Sequence, residues 1–493
     1  MGLFSTRIEE SSFPRLEARF SERALCLSGI ETHQEEIKAL CAYIFRAAYE
    51  GDLYVEERKL PPSLRQNLIF AKKQAEALAP FLCFKQDRIY LEKNAQLEEL
   101  IEQEMRRLFR KSSAGPCTTH IALNKEQQEA LQIILSNHLS FLMGGPGTGK
   151  TYMALAVVEH FLSMGKEKIL LAAPTARAAD LLSHRIKKGS SKVLTGGTIH
   201  SLLHLGRSTP RMKKGFFLDA DLLIVDESSM IEAPLFAALL SAIPTTCHTL
   251  FMGDAKQLSP IGIGSIFADI EKKEESFSPR AYLHTSMRTE IAGITEMAKE
   301  VLEGNTPVSS GWPSSEEAVG SILREFSSLS KYVLSDVPED LRALFSLIGE
   351  RRILSSLRKG PYGSEAINAF LLREVTKQSR SWWAPIMVNA SDDSLDVSNG
   401  EMGITIQSAN GGSFLYFREG RLRISSEQFH FWEYAFCSSV HKSQGSEYDE
   451  VLVLFPKGSE RFGKEMIYTA ITRAKKSVSI LAEKDTLEKM MNS

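Results

Sequence analysis

The stretch that most constrains this chain is Gly144-Gly145-Pro146-Gly147-Thr148-Gly149-Lys150-Thr151. It follows the apolar run Phe141-Leu142-Met143 and precedes a helically patterned segment, so strand, loop and helix are expected in that order. Glycines let the loop turn several backbone N–H groups onto phosphate oxygens, and the helix N-terminus adds a field that favours an anion. Lys150 is then placed to reach β- and γ-phosphates, and the Thr151 hydroxyl to coordinate Mg²⁺. A Gly-rich turn with an exposed lysine would share the composition but not the strand–loop–helix context. The eight residues are therefore read as a nucleotide site.

Such a loop belongs at the carboxyl edge of a parallel sheet, and the flanking sequence supplies one. Short apolar runs recur between helical stretches at Ile169–Ala173, Leu222–Val225 and Thr249–Met252, as suits strands buried on both faces of an α/β sheet. Asp226-Glu227 closes one of these runs. Asp226 is a candidate Mg²⁺ ligand, and Glu227 a candidate to orient and deprotonate an attacking water. The next run leads into Gly253-Asp254-Ala255-Lys256-Gln257, where a glutamine can sense a γ-phosphate or position water because its amide both donates and accepts. An Asp/Lys turn is the simpler alternative there. Arg288 and Arg473 are candidates to stabilise charge during phosphoryl transfer. Either alone would read as a surface or ion-pair residue; the motifs around them carry the case.

Length and composition set the rest of the frame. At ~150 residues per domain, 493 residues suggest about three domains. With 59 Lys+Arg against 61 Asp+Glu the net charge is −2, so any nucleic acid must be held by a local groove. The cysteines Cys26, Cys41, Cys83, Cys117, Cys247 and Cys437 form no C-x-x-C pair, which suits reduced thiols in the cytoplasm. No apolar run approaches the ~18 residues of a membrane span, so no membrane partner is expected. Residues before about 110 read as mostly helical, 304–320 as a surface linker, 321–384 as helical, and 403–436 as a small β unit with turns at Gly411-Gly412 and Glu419-Gly420.

The order of these motifs resembles that of superfamily 1 DNA helicases. Their wording resembles the RecD family within it, the α chains of bacterial exodeoxyribonuclease V. Gln127 resembles the glutamine that reads adenine ahead of the phosphate loop. Ala173-Pro174-Thr175-Ala176-Arg177 and Thr198-Ile199-His200 resemble the first DNA-contacting motifs. Gly253 to Pro260 resembles motif III, and Arg288 falls on the motif IV arginine. Val440-His441-Lys442-Ser443-Gln444-Gly445 resembles motif V, and Tyr468 to Lys475 motif VI, which makes Arg473 the arginine finger. The resemblance covers 121–290 and 385–482 densely; 289–350 carries no alignable motif.

What the resemblance implies is an α/β fold with two RecA-like P-loop NTPase domains, a helical N-terminal domain and a small SH3-like β insertion. The expected boundaries are 1–115 for the N-terminal domain, 116–285 for the first motor domain, 286–402 with 437–493 for the second, and 403–436 for the insertion. ATP and Mg²⁺ are the implied cofactors. DNA, as single strands and duplex ends, is the implied substrate, with 5′ to 3′ translocation. RecB-like and RecC-like subunits are the implied partners in a heterotrimer, docked through residues 1–110. That domain is expected to hang on the loose Ser112–Pro116 stretch and to be dispensable for hydrolysis. A stand-alone helicase, or a structural ATP-binding subunit of a nuclease complex, are the alternatives. Thr175, Arg177, His200, His441 and Ser443 are the candidate DNA contacts, since hydroxyl, guanidinium and imidazole groups bind backbone or stack on bases. For the basic loops at Lys187, Lys188, Lys192 and at Arg207, Arg211, Lys213, Lys214, phosphate contact and simple solvation stay equally open.

Overall fold

The computed structural model describes residues 13–112, 119–189, 195–205, 215–260, 262–272, 277–285, 292–335, 340–392, 394–409 and 412–492. Two parallel sheets organise the chain. The first holds six strands in the order Thr195–Thr198, Ile169–Ala173, Leu222–Val225, His248–Gly253, Leu139–Gly144 and Arg280–Leu283, each parallel to its neighbour. Leu222–Val225 is buried along its whole length. Helices cover both faces, which is why these strands are apolar throughout rather than alternating. The second sheet is also parallel, in the order Cys437–Ser439, Arg351–Ser355, Tyr448–Phe455 and Ala474–Ala482.

Two strands arise where the sequence reads as helix. Arg351–Ser355 lies inside the second sheet, and its leading arginines disguise a buried run. The Arg352 side chain is itself buried, its guanidinium 4.8 Å from the centre of the Tyr448 ring. Trp382–Val388 is the other. It joins the strands expected within 403–436, giving a five-stranded antiparallel sheet ordered Leu422–Ser425, Ser413–Phe417, Met402–Gln407, Trp382–Val388, Trp432–Tyr434. Trp383 anchors this unit, buried and donating its indole N–H to the Lys331 carbonyl at 2.7 Å. The stretch expected as a linker is tied to the second sheet, where Ser310 N donates to Ile480 O at 2.9 Å.

The N-terminal region is helical with one small antiparallel sheet, ordered Val55–Glu56, Arg88–Leu91, Leu82–Lys85. Its expected independence is corrected. The helix Glu92–Leu108 sends Ile101, Met105 and Leu108 into the same core as Phe141, Leu223 and Phe236 of the first sheet. Arg107 Nη2 donates to the carbonyls of Leu240 and Ile243, both at 2.9 Å, satisfying open carbonyls at the buried C-terminal end of the helix Ala233–Ala242. Leu53 joins that core too, and Gly264 N donates to Gly51 O at 2.8 Å. The chain then runs on in contact: His138 N donates to Arg110 O and Ser112 N to Ser136 O, both at 2.9 Å. Among the described residues, no helix is long and apolar enough to cross a membrane.

Candidate nucleotide site between the two parallel sheets

Leu222–Val225, His248–Gly253 and Leu139–Gly144 are adjacent and parallel, so the segments leaving their carboxyl ends meet at one edge. The phosphate loop leaves the last of these. Gly147 and Gly149 hold φ of 75° and 94°, a left-handed geometry that favours glycine and turns the loop into the helix Lys150–Ser163. Gly144 is required for space: a Cβ there would lie 2.7 Å from Thr148 Oγ1 and 2.9 Å from the Leu283 carbonyl oxygen. Lys150 Nζ donates to the carbonyls of Gly144 at 2.6 Å and Gly145 at 3.0 Å, which folds its side chain back over the loop. Thr151 occupies the first turn of the same helix.

Asp226 and Glu227 follow from the neighbouring strand. Asp226 Oδ1 accepts from Glu227 N at 2.8 Å. Burial raises the pKa of Asp226, opposed chiefly by the Lys150 charge. Burial and then the Asp226 charge raise that of Glu227, with Arg473 and Lys150 pulling it back. Glu227 has φ 50° and ψ 40°, a left-handed conformation that costs a non-glycine residue roughly 1–2 kcal/mol.

The segment after His248–Gly253 is gripped from the second sheet. Leu258 N donates to Thr469 Oγ1 at 2.8 Å, and Gln444 Nε2 donates to Leu258 O at 3.0 Å. Tyr468 Oη donates to Asp254 Oδ2 at 2.9 Å. Gln257 Nε2 donates to that same oxygen at 3.2 Å, while Gln257 Oε1 is buried with no partner among the described residues. Between the phosphate loop and the helices of the second unit lies a cavity of about 210 Å³, lined in part by Gly145, Pro146, Asp254, Tyr282, His284 and Tyr468. The left-handed glycines, Lys150, the Asp226–Glu227 pair and the orphaned Gln257 amide oxygen come from segments leaving neighbouring strands at one sheet edge, a donor set that fits a nucleoside triphosphate with a divalent cation.

The candidate DNA contacts divide by exposure. Thr175 Oγ1 accepts from Ala178 N at 3.3 Å, capping the helix Ala176–Gly189. Arg177 reaches across to the second unit, with its guanidinium 5.6 Å from the Tyr448 ring centre. His200 is exposed on the short helix Ile199–Leu202. His441 is half-buried with its ring centre 6.1 Å from that of Phe462, and burial, with Arg461, lowers its pKa. Ser443 departs from expectation: it is 0 % exposed and donates to Val440 O at 2.7 Å, so its hydroxyl braces a turn and offers DNA no surface. Lys192 and the loop with Arg207, Arg211, Lys213 and Lys214 lie outside the described residues, as do the side chains of Lys187 and Lys188.

Comparison with known proteins accords with this geometry. The AAA domain family matches residues 127–263, and the UvrD-like helicase C-terminal domain matches 434–481. The RecBCD enzyme subunit RecD of Mycobacterium tuberculosis is 30% identical over 398 residues, covering 72% of this chain and 68% of that one. The chain belongs to the RecD family. A RecD subunit of Buchnera aphidicola is 25% identical over 498 residues, covering 82% of this chain and 81% of its own. The ATP-dependent RecD2 DNA helicase of Deinococcus radiodurans is 26% identical, covering 73% of this chain and 49% of its own. Among solved structures, Pif1 helicase from Candida albicans aligns at TM-score 0.45 and 18% identity over 76% of this chain and 99% of that one, too distant to add to the assignment.

Gln127 and Arg473, two positions that the resemblance assigns to the nucleotide, are engaged in contacts within their own units. Gln127, expected to read adenine, is 2 % exposed and closes a capping box: Gln127 N donates to Asn124 Oδ1 at 2.8 Å, and Gln127 Oε1 accepts from Asn124 N at 3.2 Å. Its amide oxygen is thereby engaged at the helix start. Arg473 is 3 % exposed, and its hydrogen bonds run to Thr469 O, Ser446 O and Thr472 Oγ1, all within its own unit. Arg288 lies outside the described residues. Reading the sequence also assigned no separate role to Tyr468, Thr469 or Asp254. One signal was available: Tyr468-Thr469 is a polar pair inside the otherwise apolar Met466–Ile471 run.

Proposed function

We propose that this chain is an ATP-driven 5′ to 3′ single-stranded DNA translocase and helicase. It would serve as the RecD-like subunit of an exodeoxyribonuclease V complex with RecB-like and RecC-like chains, in double-strand-break repair and recombination. One observation carries the motor reading: the segment beside the phosphate loop is hydrogen-bonded across to the second sheet through Leu258, Thr469 and Gln444. A change at the nucleotide then becomes a movement between the two units that grip DNA. ATP supplies the transferable γ-phosphoryl group and Mg²⁺ the charge that draws its oxygens together. Thr151 and Asp226 would hold the metal, Lys150 would bind the phosphates, Glu227 would take a proton from the attacking water, and Arg473 would stabilise the transferring charge. Thr175, Arg177, His200 and His441 face the DNA path.

The N-terminal region docks the partner chains in this reading. Leu27, Tyr49 and Ile69 are each more than half exposed there and offer apolar contacts. A second reading, an ATP-binding structural subunit, is favoured by the way Arg473 keeps its hydrogen bonds inside its own unit. The purified chain discriminates. DNA-stimulated ATPase, abolished by Lys150→Ala, and unwinding of a 5′-tailed but not a 3′-tailed duplex support the motor. ATP binding without DNA-stimulated turnover supports the structural subunit. Co-purification of RecB-like and RecC-like chains from the native cell tests the complex.

A further inference from the structure

One buried polar contact between the two units has no part in that assignment. Tyr468 lies on the helix Lys464–Ile471, flanked by fully buried Met466, Ile467, Ala470 and Ile471. Its hydroxyl donates to Asp254 Oδ2 at 2.9 Å and lies 3.2 Å from where a Cβ on Gly145 would stand, so it touches the phosphate loop as well. Burial, then the Asp254 charge, keeps the phenol protonated and able to donate. Asp254 is 3 % exposed, and its Oδ1 accepts from Lys256 N at 3.1 Å. An ionised carboxylate only accepts, so the NH₂ end of Gln257 must face it. That leaves Gln257 Oε1 as the amide atom without a partner among the described residues, at a side chain only 6 % exposed. A buried carbonyl oxygen without a donor is costly, and a water O–H at this place relieves it.

We propose that Tyr468 is a positioning residue for ATP hydrolysis: through Asp254 it holds the Gln257 amide with Nε2 tethered and Oε1 free to accept from the attacking water. The proposal rests on the ATPase reading above. Tyr468 belongs to the second unit, whereas Asp254 and Gln257 belong to the first. The amide is therefore set only while the units are closed together, which couples closure to the orientation of water. Leu258–Thr469 and Gln444–Leu258 still dock the segment when the Tyr468 hydroxyl is removed. Loss of that hydroxyl thus loosens one side chain and leaves nucleotide binding intact.

The test uses the full chain with ATP, Mg²⁺ and oligo-dT. Tyr468→Phe keeps the ring and is expected to lower kcat about ten-fold, the scale of one hydrogen bond to a charged group. The KM for ATP should stay within about two-fold, because the bond acts on the reaction and not on ground-state binding. Tyr468→Phe combined with Gln257→Ala should be no slower than Gln257→Ala alone, since the tyrosine acts through the glutamine. Wild-type kcat in Tyr468→Phe, a parallel rise in KM, or multiplying losses in the double variant would overturn the proposal. Should Tyr468→Phe not fold, Asp254→Asn removes the charge of the shared acceptor from the other side, with the same expected and overturning results. A wild-type chain without DNA-stimulated turnover sinks the ATPase reading instead, and turnover that survives Lys150→Ala at close to the wild-type rate sinks the site assignment, so the failures are separable.

Discussion

Glu227 is held in a conformation and a charge environment that both work against it. Its backbone is left-handed, and desolvation and the Asp226 charge both disfavour its ionised form. In the proposed reading Glu227 is the general base, and Glu227→Gln should separate chemistry from stability. Turnover is expected to fall ~10²- to 10⁴-fold, the range for losing a general base. The folded pKa of Glu227 lies above its ordinary value of 4.5, so its contribution to stability is full below that value and lost as pH rises through the folded one. The glutamine variant should therefore melt above wild type at pH 8, with the gap closing as pH falls towards about 4.5. A gap that widens on acidification would refute this assignment of the charge. Arg473 and Lys150 differ in a way that sequence does not show. Arg473→Ala should lose both turnover and melting temperature, because a buried guanidinium leaves three acceptors behind. Lys150→Ala should lose turnover alone, since its two partners are carbonyls of its own loop. Equal thermal shifts in the two variants would remove the distinction. The surroundings of Lys150 are legible from eight consecutive residues because both of its hydrogen-bond partners lie in the same loop. The surroundings of Arg473 are not, since its acceptor on Ser446 comes from another motif.

At the scale of elements, some parallel strands were readable and others were not. Leu222–Val225 announces itself by an unbroken apolar run, whereas Arg351–Ser355 opens on two arginines and hides its burial. The strand His248–Gly253 carries a half-buried histidine at its outer end. The His248 ring stacks on His138 at 3.9 Å and meets Phe161 edge-on, and Nε2 lies 3.1 Å from Ser112 Oγ. Burial, then the nearby charges of His138, Lys166 and His160, lower its pKa to about 4, while Asp221 opposes them. A folded pKa below the ordinary 6.5 means stability that is present above pH 6.5 and is lost as pH falls through about 4. His248→Phe keeps the stack and removes the titration. Its melting temperature should fall less than that of wild type between pH 7 and 5; identical slopes would exclude His248 as the cause.

For the whole molecule, the N-terminal region is structurally part of the first α/β unit. Removing residues 1–110 strips Ile101, Met105 and Leu108 from a core shared with Phe141 and Phe236, and uncaps the helix Ala233–Ala242. Each such side chain lost from a core costs about 2–5 kcal/mol, against a total stability of roughly 5–15 kcal/mol for a domain. The truncated chain should therefore not melt cooperatively and should not hydrolyse ATP. A truncated chain that is folded and as active as the full one would show that the shared core is expendable. Docking of partner chains then has to be tested with surface substitutions at Leu27, Tyr49 and Ile69, which leave that core in place.

The sequence alone determined the α/β character of the chain, the glycine-rich loop after a strand and the carboxylate pair at a strand end, while the family was carried by the resemblance of its motifs. These depend on runs of a few residues, over which backbone propensity and side-chain period act directly. Tertiary structure decided which surfaces meet. Tyr468 finds Asp254 across 214 residues, and Arg107 finds Leu240 across 133. It also decided that Gln127 caps a helix and that Ser443 braces a turn. An apolar helix face or a single polar side chain looks the same in sequence whatever it packs against, because burial belongs to two surfaces together and the chain spells out each one separately.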